Sequence, residues 1–273
     1  MTSESRDLPI GVFDSGVGGL TVLHAIREAL PAENLVYLGD TARLPYGTKS
    51  PVSIARYATQ ATARLCEHEI KLLVVACNTA SAVALDSLRD SLHPIPVLGV
   101  VQPGASAAMA ARPGGSHLVL ATEATVRLAA YRDAILLADP AASVREHACE
   151  LLVSLAEEGW TEGGVTDAII ARYLAEATSD GFSPDSIILG CTHFPLLRDA
   201  IAAAAGPGVA VVDSASTTAA VVKETLTERG ELATDGRGRL ELLATDGASR
   251  FARVGGQFLG HPLTAADVQL VDL

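Results

Sequence analysis

Basic residues are in short supply along this chain of 273 residues: 20 Lys and Arg stand against 32 Asp and Glu, a formal net charge of −12. With no cationic surplus to neutralise a phosphate backbone, no nucleic-acid partner is expected. Long apolar runs are absent too. None approaches the roughly 18–20 residues of a membrane span, so no membrane partner is expected either. The opening MTSESRDLPI lacks the apolar centre of a secretory signal. The only cysteines are Cys66, Cys77, Cys149 and Cys191, and no two form a CxxC pair. Their dispersal speaks against a disulfide framework and for a reduced, cytoplasmic setting. Gly16, Gly18 and Gly19 stop short of a dinucleotide fingerprint, because Thr21 stands where GxGxxG needs its third glycine. No linker of low complexity interrupts the chain. Hydrophobic residues at 49% and charged ones at 19% supply a sizeable core, for two ordinary domains or one large one.

What is present is organised around residues 72–85, LLVVACNTASAVAL. Leu72 to Val75 read as a strand buried on both faces. Cys77, Asn78 and Thr79 follow it, and a helical pattern then begins with Thr79 or Ser81 as the expected N-cap. Residues 186–197, SIILGCTHFPLL, repeat the arrangement: a strand, then Cys191, Thr192 and His193, then a helix opened by Pro195. One cysteine at such a turn is most simply a small buried residue. Two of them, each followed by polar residues where α/β sheets place their ligands, favour chemistry.

The rest of the chain alternates strand and helix. Strands are expected at 8–14, 35–38, 96–100, 117–121, 143–149, 209–213 and 240–246, with helices between them. These include 52–69, 126–138, 151–158, 165–177, 196–205, 217–229 and 249–260, the last with a glycine interruption. Residues 1–7 read as a polar tail. After the first strand, Asp14 lies at the functional edge, where it either caps the next helix or takes part in chemistry. The glycine-rich turn beyond it leads to a helix N-terminus able to hold a carboxylate. The loop at 39–50 carries the turn Pro45-Tyr46-Gly47. Thr122 and Thr125 supply hydroxyls at a helix start, and Glu157 reads by composition as a solvated helix carboxylate. Such alternation implies an α/β fold of mostly parallel sheets covered by helices. The weak internal repeat suggests two pseudo-symmetric lobes with a site in the cleft between them.

Several chemistries compete for two such cysteines. Zinc needs three or four ligands; Cys191 and His193 supply two and Cys77 a third, but Asn78 and Thr79 are poor ligands. A redox dithiol usually has its resolving cysteine close by in sequence. A Cys191–His193 acyl-transfer nucleophile leaves Cys77 without a role. The option that uses both is proton transfer: one thiol removes a proton from a substrate carbon and the other returns one to the opposite face. Asp14 and His193 would position the sulfurs. Asn78, Thr79 and Thr192 would offset charge developing on an α-carboxylate.

The segments FDSGVGGLTV at 13–22, YLGDTARLPYG at 37–47, ACNTAS at 76–81 and LGCTHFPLL at 189–197 strongly resemble the glutamate racemase family. The likeness extends from Ile10 to the FLGHPL segment near the end. It implies cofactor-independent interconversion of L- and D-glutamate, supplying D-glutamate for peptidoglycan, with no metal, and it is compatible with a homodimer. It further implies a discontinuous first lobe of residues 1–99 plus 208–273 and a second lobe of 100–207. On the matching positions Cys77 and Cys191 are the proton donor/acceptors, assisted by Asp14 and His193. Ser15, Tyr46, Gly47, Asn78, Thr79 and Thr192 match substrate contacts, and Thr122 and Glu157 match further active-site positions. The stretch CELLVSLAE departs from the family's pattern, with Glu150 and Ser154 where prolines are usual. Cys66 and Cys149 fall outside the motifs and read as structural. The rivals are an aspartate racemase and a non-catalytic binding protein that kept the cleft.

Overall fold

In the computed structural model, which describes residues 4–234 and 236–273, every strand pairing is parallel. The chain opens with α1 (Glu4–Asp7), β1 (Ile10–Asp14), α2 (Leu20–Ala29), β2 (Leu35–Gly39), α3 (Pro51–Cys66), β3 (Leu72–Val75), α4 (Asn78–Leu92) and β4 (Val97–Gly99). It continues through α5 (Val101–Ala111), β5 (Ser116–Ala121), α6 (Glu123–Arg127), α7 (Ala130–Ala138), β6 (Ser143–Ala148), α8 (Glu150–Glu157), α9 (Gly164–Ala177) and β7 (Ser186–Gly190). It ends with α10 (Arg198–Ala205), β8 (Ala210–Asp213), α11 (Ala215–Arg229), β9 (Leu240–Ala244), α12 (Ala248–Leu259) and β10 (Val268–Leu270). One sheet has the order β10-β9-β2-β1-β3-β4, the other β6-β5-β7-β8. Among the described residues no helix is long and apolar enough to cross a membrane.

Strands β1, β2, β3 and β7 are buried at every residue, as covered parallel strands must be. Side chains alternate between faces, and the core divides accordingly. Ile10, Val12, Leu72 and Val74 share one apolar cluster with Leu118, Leu120, Ile187 and Leu189 of the second sheet, continuous through Phe194 and Phe258. Phe13, Leu73 and Val75 face the opposite way, onto Ile54, Ala58 and Leu88. The apolar core therefore runs from one lobe into the other. The registers also align the strand ends: Phe13 lies opposite Leu38 and Val75, and Ala121 opposite Ala148 and Gly190. The loops after β1, β2 and β3 thus leave one edge together, and those after β5, β6 and β7 leave the other.

The structure departs from the sequence reading in several places. The helix expected at 126–138 is two helices, α6 and α7, parted by Ala129 in the left-handed conformation at φ 51°. The Glu146 carboxylate accepts the N–H groups of Tyr131 and Arg132 at 3.2 and 3.4 Å, so α7 starts afresh on a cap supplied by β6. Strand β8, which the family resemblance puts in the first lobe, extends the four-stranded sheet beside β7. Strand β10 was not expected at all. Of the polar tail, residues 1–3 lie outside the described residues. The remainder forms α1, held by Asn34 Nδ2 on Asp7 O at 2.7 Å and by Lys71 Nζ on Arg6 O at 2.6 Å. Lys71 also pairs with the buried Glu33 at 2.6 Å. The expected glycine interruption leaves α12 unbroken. Gly255 instead lets it approach α2 closely, since a Cβ there would sit 2.8 Å from Leu20 Cδ1.

Candidate active site

Strand β3 delivers Cys77 to the start of α4, and Cys77 itself is the N-cap: its sulfur accepts the Ala80 N–H at 3.4 Å. Thr79 and Ser81, the expected caps, are occupied elsewhere. Ser81 Oγ donates to Val75 O at 2.8 Å, while Thr79 Oγ1 meets Thr122 Oγ1 at 2.9 Å across the cleft. The Cys77 thiol lies 3.4 Å from Ser15 Oγ. Asn78 is held by Tyr131, with Nδ2 donating to the hydroxyl at 2.6 Å. Its Oδ1 is buried without a protein partner.

The glycine-rich turn after β1 does hold a carboxylate, that of Asp14 itself. Gly16 N–H donates to Asp14 Oδ2 at 2.9 Å, and Oδ1 is left without a partner. Gly19 is required for this packing, since a Cβ there would come within 2.5 Å of Asp14 Cβ. Gly18 serves the opposite lobe: any side chain would collide with Thr192 and His193. Both glycines allow close approach of backbone to side chains.

On the second lobe β7 leads into Cys191, whose sulfur lies 3.7 Å from His193 Nδ1. His193 Nε2 lies 3.2 Å from Glu157 Oε1, and Glu157 Oε2 accepts from Arg250 Nη2 at 2.8 Å. Phe258 meets the His193 ring edge-on, with centroids 5.2 Å apart. Cys77 and Cys191 line one cavity of about 40 Å³. Ser15, Tyr46, Gly47, Asn78, Thr79, Thr122, Thr192 and His193 complete most of its wall. Asp14 and Glu157 stand behind the wall rather than in it. Tyr46 turns its hydroxyl to Asp40 at 2.5 Å, leaving the ring and backbone to shape the cavity. Among the described residues no group of three or more His, Cys, Asp or Glu is arranged to hold a metal ion. Larger hollows of about 270, 390 and 440 Å³ lie elsewhere, none of them lined by either thiol of the pair.

The profile of the Asp/Glu/Hydantoin racemase family matches residues 10–222. The chain is 48% identical over 266 residues to the glutamate racemase of Geobacter metallireducens, covering 97% of this chain and 96% of that one. Its backbone superimposes on glutamate racemase isoform RacE1 from Bacillus anthracis with a TM-score of 0.92 at 35% identity, covering 98% of each. The glutamate racemase of Francisella tularensis, solved in complex with D-glutamate, gives 0.90 at 33%, again over 98% of each. The chain belongs to the Asp/Glu/Hydantoin racemase family, among its glutamate racemases. It is therefore an isomerase.

Within this racemase fold the two thiols sit in unlike fields. Burial, reinforced by the neighbouring Asp14 charge, pushes the Cys77 thiol up to about 12. Burial also raises Asp14, against the opposing influence of His193 and of the Gly19, Gly16 and Ser15 N–H groups. For His193 burial acts downward, but the Cys191 sulfur and the Glu157 carboxylate outweigh it and lift the imidazole to about 10. The hydrogen bond from His193 in turn holds Glu157 below the usual carboxylate range. Glu157 is thus an ion-paired residue only 15% exposed, not the solvated carboxylate its composition suggests. Reading the sequence missed Pro45, Glu150 and Val153 as cavity residues, and Tyr131 and Arg250 as supports. Pro45 stood out as a turn former. Glu150 stood out as a departure from the family's pattern. Nothing local to Tyr131 or Arg250 marks either.

Proposed function

We propose that this racemase interconverts L- and D-glutamate without a cofactor, with Cys77 and Cys191 as the two proton-transfer groups. The observation that supports this most directly is that one cavity is lined by two thiols, one from each sheet. In one direction Cys191 acts as thiolate, accepts the α-proton and becomes a thiol. The electron pair left on carbon delocalises into the α-carboxylate, and Cys77 S–H then delivers its proton to the opposite face, becoming the thiolate. Reversal of the same steps serves the other enantiomer. His193 is the partner of Cys191, and the buried Asp14 is the group able to take up the Cys77 proton when that sulfur must act as base. Thr79 and Thr192 hydroxyls stabilise the developing carboxylate charge. The unpartnered Asn78 Oδ1 suits the substrate ammonium, and the Pro45–Gly47 turn bounds the side-chain carboxylate. D-glutamate made this way would feed peptidoglycan assembly in the cytoplasm.

Proton NMR with L-glutamate in D2O, with chelator present, tests the reading. Loss of the α-proton signal together with growth of D-glutamate is the expected result. Exchange with aspartate but not glutamate would reassign the substrate. Silence with both, in folded and reduced protein, would overturn the activity.

A further inference from the structure

Arg250 lies 93 residues from Glu157 in sequence, on α12 against α2, whereas Glu157, His193 and Cys191 all belong to the second lobe. The Glu157 carboxylate divides its oxygens: Oε1 faces His193 Nε2 at 3.2 Å, and Oε2 accepts from Arg250 at 2.8 Å. Glu157 is the last residue of α8. A carboxylate there faces the negative end of the helix dipole, so the helix by itself disfavours it. Arg250 supplies the compensating charge and a directional donor. Asp246 lines the hollow of about 270 Å³ that Glu157 and Arg250 also line, but its Oδ1 is engaged by the Gly247 N–H at 2.7 Å.

We infer that Arg250 is a positioning residue for racemisation: from the opposite lobe it holds Glu157 so that the other carboxylate oxygen orients His193 behind Cys191. Arg250 touches neither thiol and lines no part of the thiol cavity. Its effect passes through Glu157, so a residue of the first lobe supports the imidazole beside the second lobe's thiol. The inference rests on the two-thiol reading above.

A double-mutant cycle tests it, because coupling between two groups appears as non-additivity. Steady-state racemisation is measured for the native protein, Arg250→Ala, Glu157→Gln and the double variant. Arg250→Ala should lower kcat about tenfold with KM nearly unchanged, less than the roughly 10²-fold that a 1 Å misplacement of a reacting group can cost. In the Glu157→Gln background the same substitution should cost nothing further, and Arg250→Lys should restore most of the rate. With α-deuterated substrates, the isotope effect in Arg250→Ala should grow for one enantiomer only, the one deprotonated by Cys191. Equal losses in both backgrounds, a change confined to KM, or an isotope effect that grows equally for both enantiomers would each overturn the inference. Arg250 is half-exposed, so its truncation is compatible with folding, and the melting temperature checks this. A native protein inactive on glutamate would instead defeat the two-thiol reading, which separates the two failures.

Discussion

Cys77 and Cys191 hold equivalent places in two parallel sheets, each just beyond a fully buried strand, yet their surroundings carry opposite charge. Burial raises the Cys77 thiol, and the negative field of the buried Asp14 carboxylate behind it adds to that. Beside Cys191 stands an imidazole whose protonated form is favoured, backed by Glu157 and then Arg250. The repeated fold supplies two similar stations, and the side chains around them differ: a buried carboxylate behind one sulfur, an imidazole beside the other. That suits proton transfer through a site where one group gives while the other takes.

The comparison breaks most completely if either station is emptied. Cys77→Ala and Cys191→Ala should each reduce racemisation by ~10⁴-fold or more, the upper range of one positioned acid or base. Circular dichroism should stay native, since both replacements are small. Comparable turnover in either variant would end the two-thiol mechanism.

Changing the charge behind each thiol sharpens the contrast. Asp14→Asn should cost roughly 10²–10³ in kcat/KM. It should also lower the Cys77 pKa from about 12, because it removes a negative neighbour. Thiolate absorbance followed against pH reads this directly. On the other side, Glu157→Gln removes an interaction that raises His193, so the alkaline limb of kcat/KM should move to lower pH. The groups acting on that imidazole are Cys191, Glu157 and Asp14, and only the second is altered. Stability carries the same sign. His193 is raised from 6.5 to about 10 in the folded state, so its contribution is complete below about pH 6.5 and is lost as pH rises towards 10. Melting temperatures across that window should fall less steeply in His193→Asn than in the native protein.

The smallest effect is expected at Tyr131, which supports Asn78 from the second lobe. Tyr131→Phe removes the 2.6 Å hydrogen bond to Asn78 Nδ2. It should cost about 1 kcal/mol of stability and a few-fold in KM, with kcat nearly intact. A large fall in kcat at unchanged KM would mean that Asn78 acts on the transition state alone.

Much of this site was legible in the residues. Apolar runs ending in Cys77 and Cys191, each leading into a helix, placed both thiols at the functional edges of parallel sheets. The turns holding Ser15, Tyr46 and Gly47 stood out by their glycine and proline. Other features were hidden because nothing local signals them. Cys77 is rarely considered an N-cap, and Thr79 and Ser81 compete on propensity, yet both are drawn away by partners on other strands and helices. Ala129 ends one helix without glycine or proline, because Glu146 of the adjacent strand caps the next.

By itself the sequence determined the strand-turn-helix units, their parallel arrangement and the position of each thiol at a strand's end. These follow from hydrophobic period and turn chemistry, which act over a few residues. Only the tertiary structure decided which charges face which sulfur. Glu157 reaches His193 over 36 residues and Arg250 reaches Glu157 over 93. Hydrogen bonds and Coulomb forces act through space rather than along the chain, and burial strengthens them only where the fold has already excluded water.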